Sequence, residues 1–343
     1  MNIEIDENQH PDSIWTWKSA DRTKKTSLWI PYFQGLERLP KGKSDRYTIT
    51  FNGGSVTFHL KQIDFLMFYG ATGNLPIGFL DKLAFYKIPL LIHRRNMPRP
   101  YVFFPEPGPA EKDLLSQQIL VRENMIRRCY VARTLIRERI RNMESVINVS
   151  ATSYKKLSAC RDLQQIRSIE STITQRYWNA YYQSLDISDL TRREKGHPVN
   201  AALDAGSFFL FGILLRWLLF HKFSPYHAYL HEPTSYPSLC YDLMEPYRVF
   251  IEQAVHEAYL EVGEEKLDRL TGVSLGKLKL ALSKVVYVPA SRQSIARKNL
   301  LHGVVLALRG YLLGEMRRIV IPVEGEKKGG RPPKLSYRIP GGR

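Results

Sequence analysis

The chain has 343 residues, of which 50 are Lys or Arg and 33 are Asp or Glu, so its formal net charge is +17. Apolar residues make up 44% of it, which is enough for two folded domains and excludes a disordered protein. The positive charge predicts a polyanionic partner, either a nucleic acid or an anionic membrane surface.

The cysteines and the apolar segments of the sequence indicate the cellular compartment in which the protein is expected. An odd number of widely spaced cysteines gives neither a disulfide framework nor a zinc ribbon, and it predicts a reducing cytoplasm. The acidic, polar segment 1–12 predicts no signal peptide. Segment 205–220 is too short to span a bilayer and carries Arg216, so we predict a buried core helix and no membrane partner. The three cysteines are Cys129, Cys160 and Cys240.

The N-terminal part of the chain has β-strand patterns. Segments 47–51 and 56–60 alternate apolar and polar residues on either side of Asn52-Gly53-Gly54, which predicts a β-hairpin. The proline-rich stretch 105–109 ends the pattern. We therefore expect a β-rich domain over 1–105 and a linker at 106–110. Further predicted elements are the strands 28–31, 63–68 and 89–92 and the helix 79–85.

The remainder has helical patterns, and we assign 111–323 to a helical domain. Segment 117–147 has no Gly or Pro and predicts one long helix that is rich in arginine. Arg133, Arg137 and Arg141 of this helix could contact DNA phosphates, and the alternative is a solvated face paired with nearby glutamates. Other predicted helices are 163–185, 199–223, 245–261 and 291–318.

The chain from 324 to 343 loses its apolar residues and predicts a flexible basic tail. Lys327, Lys328 and Arg331 lie in a Gly- and Pro-rich context that is similar to an AT-hook, which places an arginine in the minor groove. The usual second arginine is missing. The alternative is a tail that binds DNA through charge alone.

Glu170 is the most informative single residue of the predicted helix 163–185. At 100° per residue it falls within a stripe of apolar and aromatic side chains. An ionised carboxylate on such a face is costly unless a cation or hydrogen bonds compensate its charge. We predict a metal ligand, and a salt bridge to an arginine is the alternative. The stripe consists of Leu163, Ile166, Ile173, Tyr177 and Tyr181.

His231, Asp242 and Glu245 are the other candidates for ligands. His231 is expected at the entry to a loop, although spacing alone does not exclude other histidines. Asp242 and Glu245 are three residues apart and would project together from a helix. The same spacing is also a capping-box pattern, with Asp242 as the N-cap residue. The alternative histidines are His197, His221 and His227.

These residue types indicate the kind of metal and the chemistry. Carboxylates with one imidazole favour Mg²⁺ or Mn²⁺ over zinc. Such an ion on a cationic protein suits reactions at phosphodiesters. The chain has no Walker-type loop, which argues against NTP hydrolysis.

A resemblance to a known family rests on four segments that occur in the expected order, and on a fifth that resembles the end of the family's β-domain. The segments are Glu170 with Tyr177 and Trp178, Arg193 with 197–203, 224–232, 241–248, and 75–92. The chain resembles the CRISPR-associated adaptation integrases of the Cas-one family. Two departures, the bulky residues 171–173 and Ala228 where glycine is common, suggest a divergent branch.

The resemblance implies an α+β protein, with an N-terminal β-sandwich-like domain for dimerisation followed by a larger all-α catalytic domain. It implies a homodimer that binds double-stranded DNA and a Cas-two dimer. By position, Glu170, His231 and Glu245 would ligate Mg²⁺ or Mn²⁺, and Asp242 would be an accessory catalytic carboxylate. Arg193 and Arg248 would be basic residues near DNA.

The resemblance also implies a reaction, in which a 3′-hydroxyl of a short DNA fragment attacks a phosphodiester in a CRISPR array. Three other functions are open at this point. A casposase would integrate transposon ends of defined sequence, and a simple nuclease would use water as its nucleophile. A catalytically idle DNA-binding scaffold would use the carboxylates only as caps and salt bridges.

Overall fold

The computed structural model describes residues 15–16, 26–39, 45–52, 54–94, 100–103, 113–194, 196–327 and 338–341. The chain divides into two compact units. The first consists of Met1–Gly108 with Phe208–Arg216, and the second consists of Pro109–Ser207 with Trp217–Arg343. The predicted α+β class, with N-terminal strands before a mostly helical region, is confirmed.

The first unit contains two β-sheets. A five-stranded sheet has the order β1-β2-β6-β7-β8, in which the pairs β2–β6 and β6–β7 are parallel. The other sheet, β3-β4-β5, is antiparallel. The elements are β1 (Trp15–Thr16), β2 (Thr26–Pro31), β3 (Phe33–Arg38), β4 (Arg46–Phe51), β5 (Gly54–His59), β6 (Ile63–Tyr69), α1 (Ile77–Phe85), β7 (Leu90–His93) and β8 (Tyr101–Phe103).

The predicted hairpin forms between β4 and β5, where Tyr47 pairs with Phe58 and Ile49 pairs with Val56. Because strand side chains alternate between faces, these residues all point to one side and are buried. They share an apolar core with residues of the other sheet, such as Leu66 of β6. Two sheets around one core give the sandwich-like arrangement.

The second unit is mostly helical and includes a β-hairpin, β9–β10, that the sequence reasoning missed. Two 3₁₀ turns, Glu245–Tyr247 and Glu264–Arg269, flank α8. The elements are α2 (Leu114–Glu123), α3 (Met125–Met143), α4 (Ala151–Ala159), α5 (Leu163–Gln183), α6 (Pro198–Phe220), α7 (Ser238–Met244), α8 (Arg248–Val262), α9 (Leu270–Ser283), β9 (Val285–Val288), β10 (Gln293–Ala296) and α10 (Asn299–Leu312). The residues Phe208–Arg216 of α6 belong to the first unit.

Two predicted helices have the wrong bounds. The prediction of one helix over 117–147 is wrong, because the helix is interrupted at Asn124, which separates α2 from α3. Asn124 has an extended backbone with ψ of 101°, and its side chain accepts a hydrogen bond from the Arg127 N–H at 3.0 Å. It is thus an N-cap. The prediction of a helix over 291–318 is also wrong, since the segment begins with β10 and is helical only from Asn299.

Helix α6 is the one helix among the described residues that is long and apolar enough to cross a membrane. Its most apolar window is 78% buried within the protein. Burial on this scale is what the sequence predicted for a core helix.

Residues 338–341 contact β10, whereas residues 324–327 are exposed. Ile339 is buried, and the Gln293 side chain donates to its carbonyl at 3.1 Å and accepts from its N–H at 2.9 Å. The flexible tail over 324–343 stays a prediction. Residues 328–337, including Lys328 and Arg331, lie outside the described residues.

Candidate active site

Glu170 lies on α5, on the face predicted from helical spacing. Burial, and after it the negative charge of Glu245, raise the pKa of its carboxyl from 4.5 to about 7. The charges of His231, Arg248 and Arg139 act in the opposite direction. The structure therefore brings Glu170, His231 and Glu245 into one electrostatic environment, although they are far apart in sequence.

His231 is held in place by Asp242, whose side chain is fully buried. Asp242 Oδ2 accepts hydrogen bonds from the N–H groups of Tyr229 at 2.6 Å and Leu230 at 2.9 Å. Its Oδ1 accepts from the His231 N–H at 3.1 Å and lies 2.7 Å from His231 Nδ1. The capping-box alternative is wrong, because Asp242 lies inside α7 and its carboxylate caps the 229–231 loop instead of a helix.

The contact with Asp242 determines which ring nitrogen of His231 is available to bind a metal ion. Because Asp242 engages Nδ1, any ligand of His231 must bind through Nε2, as in the carboxylate–histidine pairs that orient metal ligands. Burial lowers the pKa of His231, but the hydrogen bond and charge of Asp242 outweigh it, and the net pKa is raised. The geometry gives Asp242 a positioning role, since its oxygens are already occupied by the loop.

The loop that carries His231 is also fixed from α2, α3 and α5. Arg122 Nε donates to the carbonyl of Ala228 at 3.0 Å, and Arg128 Nε donates to that of Tyr229 at 2.9 Å. Arg167 of α5 donates to the carbonyl of Leu230. Gln118 donates to the carbonyls of Ser224 and His227 at 2.8 and 2.9 Å. Three arginines therefore hold the loop by its backbone.

Glu245 begins the 3₁₀ turn Glu245–Tyr247 and is almost fully buried. Its Oε1 accepts a hydrogen bond from Arg248 Nε at 2.9 Å, and its Oε2 lies 3.8 Å from Arg139 Nε. Asn142 of α3 donates to the carbonyl of Pro246 at 2.6 Å, which holds the turn against that helix. Glu245 is therefore fixed by its own turn, by α3 and by two cations.

The sequence reasoning missed a buried ion pair beside Glu245. Arg139 and Glu252 are 2% and 3% exposed and form a bidentate salt bridge with N–O distances of 2.8 and 2.5 Å. Tyr177 donates its hydroxyl proton to Glu252 at 2.7 Å, and Tyr181 donates to the Glu252 carbonyl at 2.9 Å. Arg139 thus neutralises Glu252 and still faces Glu245.

The donor set suits a hard divalent cation. Two carboxylates and an imidazole that offers Nε2 are ligands that Mg²⁺ and Mn²⁺ accept. Within the described ranges, no three His, Cys, Asp or Glu side chains are close enough together to hold a metal ion. Glu245 is instead engaged by Arg248, so the carboxylates must reorient before they can ligate together.

Two predicted DNA-binding arginines of α3 contact the end of α4. Arg133 donates to the carbonyls of Ser158 and Cys160, and Arg137 donates to Ser158 Oγ at 3.0 Å. These partners are neutral, so both arginines keep a positive charge at the surface.

Arg141 is exposed and pairs with Glu138 at 2.7 Å. Arg137 and Arg141 border two concave surfaces of about 770 and 670 Å³, and Arg318 also borders the second. Arg193 and Lys327 are exposed, and Arg248 is partly exposed. The DNA-binding role of all these residues stays a prediction.

Replacement of Asp242 by asparagine is expected to lower the pKa of His231, because the charge that raises it is removed. The fold should lose about 1–3 kcal/mol, since an amide cannot satisfy all the N–H donors that face the carboxylate. Titration of the His231 ring by NMR and urea unfolding measure the two effects. Asp189→Asn, at an exposed position, is the matched control. An unchanged pKa of His231 would contradict the contact between the Asp242 carboxylate and the His231 ring.

Comparison with known families identifies the class of protein to which the β-sandwich-like unit and the helical unit belong. A model described as CRISPR associated protein Cas1 matches residues 40–260. This is more than half of the chain, and the protein belongs to the Cas1 family. The resemblance inferred from the sequence is confirmed.

Solved structures have the same fold. A casposase bound to integration product matches with a TM-score of 0.72 and 18% identity, over 92% of this chain and 95% of that chain. A Cas1 protein from Thermotoga maritima matches with a TM-score of 0.72 and 18% identity, over 88% of this chain and 100% of that chain. A chain of a Cas6-RT-Cas1–Cas2 complex matches with a TM-score of 0.69 and 14% identity, over 90% of this chain and 37% of that chain.

Proposed function

We propose that the protein is a CRISPR adaptation integrase that joins the 3′-hydroxyl end of a short DNA fragment to a phosphodiester of a CRISPR array. The proposal is supported by membership of the Cas1 family and by the electrostatic influence of Glu245 and His231 on the Glu170 carboxyl. Two acidic groups of like charge, one with a raised pKa, are a costly arrangement that a bound cation would relieve.

We propose Mg²⁺ or Mn²⁺ as the cofactor, held by Glu170, His231 and Glu245. When bound, the ion supplies a positive charge that polarises the phosphoryl oxygen and lowers the pKa of the attacking hydroxyl. Asp242 holds the His231 ring by Nδ1. Arg139 and Asn142 fix the carboxylate and the turn of Glu245.

DNA is the proposed substrate and target, and the net charge of +17 supports this. A similar solved structure is a TtCas1–DNA complex, with a TM-score of 0.57, 15% identity, and coverage of 92% of this chain and 99% of that chain. The basic residues proposed to contact phosphates are Arg133, Arg137, Arg141, Arg193, Arg248 and Lys327, with Lys328 and Arg331 of the tail.

We further propose that the protein forms a homodimer through its β-rich unit and binds a Cas2 dimer in the cytoplasm. The similarity to a chain of a Cas1–Cas2 complex supports the Cas2 partner. All three cysteines are free and buried, which suits a reducing compartment.

Replacement of both Arg137 and Arg141 by glutamine is expected to weaken DNA binding and to flatten its salt dependence. Two lost phosphate contacts correspond to a change of about 1.8 in the slope of log K against log salt. Fluorescence anisotropy with a labelled duplex at several salt concentrations measures both. Arg176→Gln, an exposed position on α5, removes one charge as a control. An unchanged slope in the double variant would remove these arginines from the DNA interface.

A casposase is the second candidate, and the similarity to the casposase structure favours it. The two functions differ in the donor DNA. A spacer integrase accepts fragments of arbitrary end sequence, whereas a casposase requires defined transposon ends.

Strand transfer tests the proposal. The protein, with and without a Cas2 partner, is incubated with Mn²⁺, a supercoiled plasmid and a labelled short duplex that carries or lacks its 3′-hydroxyl. We expect label to be joined to the plasmid only when the 3′-hydroxyl is present. Cleavage without joining would indicate a nuclease that uses water, and DNA binding without either reaction would indicate an idle scaffold. A set of donors with varied end sequences separates the spacer integrase from the casposase.

A further inference from the structure

Glu245 is contacted by two arginines that differ in their freedom to move. Arg139 is buried, and both of its terminal nitrogens are committed to Glu252. Arg248 donates to Glu245 through Nε at 2.9 Å, and its side chain is 24% exposed against 6% for Glu245. One cation is therefore fixed in the core, and the other lies at the solvent edge of the site.

We infer that Arg248 is an exchangeable counter-ion of Glu245, which leaves the carboxylate when a divalent cation binds there and then contacts a DNA phosphate. The inference rests on the proposed function, because it requires that the site binds a metal ion. It adds a coupling between the metal and DNA that the integrase assignment alone does not contain.

Charge balance within the site is the first argument. The Arg248 guanidinium donates a hydrogen bond to Glu245 Oε1 and balances the negative charge of this carboxylate. A divalent cation at Glu245 and Glu170 would neutralise both carboxylates and would repel a guanidinium that is in contact with the same oxygen. Metal ion and Arg248 therefore compete for one carboxylate.

Arg139 is less suited than Arg248 to leave Glu245 when a metal ion binds. Arg139 lies 3.8 Å from Glu245 Oε2, and its terminal nitrogens are held by Glu252. It keeps a positive charge behind Glu245 whether or not a metal ion is bound. Arg248 is the one of the two whose release leaves no buried charge without a partner, because its side chain already reaches solvent.

A released Arg248 has a chemically suitable partner. It is the first residue of α8, next to the carboxylate that is proposed to ligate the ion. A guanidinium binds phosphate oxygens through its fork of N–H donors. DNA at the site would therefore find Arg248 available only when the metal ion is present, and by linkage DNA would raise the metal affinity by the same factor.

Arg248→Gln tests the competition directly. Titration of the DNA-free protein with Mn²⁺ by calorimetry should give a Kd about 3- to 10-fold lower than that of the natural chain, because a partly exposed ion pair no longer competes. Arg176→Gln removes an equal charge from the exposed side of α5, where its partner is the Asn148 carbonyl. Its Kd for Mn²⁺ should be unchanged. Circular dichroism and thermal unfolding confirm that both variants fold.

DNA binding tests the second half of the inference. For the natural chain, we expect Mn²⁺ to steepen the salt dependence of binding to a labelled duplex. In Arg248→Gln, the slope measured with Mn²⁺ should be smaller by about 0.9, which corresponds to one phosphate contact. In EDTA the two proteins should have the same slope. Arg248→Lys keeps the charge and should retain the slope of the natural chain in Mn²⁺.

The outcomes separate this inference from the proposed function. If the natural chain binds no Mn²⁺, the metal-dependent function fails and the inference fails with it. If the natural chain binds Mn²⁺ but Arg248→Gln binds it equally well or more weakly, only the inference is overturned, and Arg248 is then a support of the site. Equal slopes for the natural chain and Arg248→Gln in Mn²⁺ would overturn the transfer to phosphate.

Discussion

Glu170→Gln is expected to abolish strand transfer and, at the same time, to stabilise the metal-free protein at pH 8. Loss of one carboxylate from the proposed ligand set should reduce joining by at least about a thousandfold, since metal catalysis supplies several kcal/mol. The gain in stability arises because burial and Glu245 make the ionised Glu170 unfavourable when no cation is bound.

The pH dependence of this gain follows from the direction of the pKa shift. The folded protein raises the pKa of Glu170 from 4.5 to about 7. The stabilising contribution of the protonated carboxyl is thus fully present below pH 4.5 and is lost as the pH rises through about 7. Glutamine resembles the protonated form at every pH. In EDTA, the free energy of unfolding of Glu170→Gln should therefore exceed that of the natural chain by an amount that grows as the pH rises from 4.5 through 7. The difference should reach about 2 kcal/mol at pH 8, given about 1.4 kcal/mol per pKa unit and partial screening.

Urea unfolding at pH 5 and pH 8, with EDTA and with Mn²⁺, measures these changes. With Mn²⁺, the natural chain should gain stability and Glu170→Gln should gain little. Glu144→Gln is the control, because Glu144 is exposed at the end of α3 and accepts a hydrogen bond from the Tyr154 hydroxyl. A Glu170→Gln protein that joins DNA as well as the natural chain would exclude Glu170 from the reaction.

Arg139→Ala is expected to destabilise the fold by about 3–5 kcal/mol. Its removal leaves Glu252 buried with a charge that no cation neutralises, although Tyr177 still donates to it. The substitution also removes the cation behind Glu245. We therefore expect lower stability together with reduced joining, and urea unfolding measures the first effect.

Two further variants test the cause of that loss. Arg139→Met combined with Glu252→Gln removes both charges and should recover at least half of the lost stability. Arg141→Ala, two residues along the same helix, breaks only the exposed pair with Glu138 and should cost about 0.5 kcal/mol or less. A loss in Arg139→Ala no larger than that in Arg141→Ala would contradict the buried pair.

The local patterns of the N-terminal region were sufficient to predict its hairpin and several strands. Residues 47–51 and 56–60 alternate apolar and polar side chains around an Asn-Gly turn, so neighbouring residues alone specify the pairing. The break at Asn124 was missed because neither Gly nor Pro marks it. The asparagine that caps α3 was the available signal.

The site was predictable in part, and the reason differs between residues. Glu170 could be found because its spacing places a charge within an apolar stripe. Arg139 falls within the buried face of α3 by the same geometry, but it was hidden among many other arginines. The contact between Asp242 and the 229–231 loop could not be derived, because it depends on the backbone path of residues that have no regular local structure.

Glu170, His231 and Glu245 are proposed to hold the divalent ion on which strand transfer depends. Electron paramagnetic resonance of Mn²⁺, titrated into the natural chain and into Glu170→Gln and His231→Ala, tests this proposal most directly. We predict one bound Mn²⁺ per natural chain and at least about tenfold weaker binding in either variant, with Arg176→Gln unchanged. Equal Mn²⁺ binding by the natural chain and both variants, or none by any of them, would contradict the account.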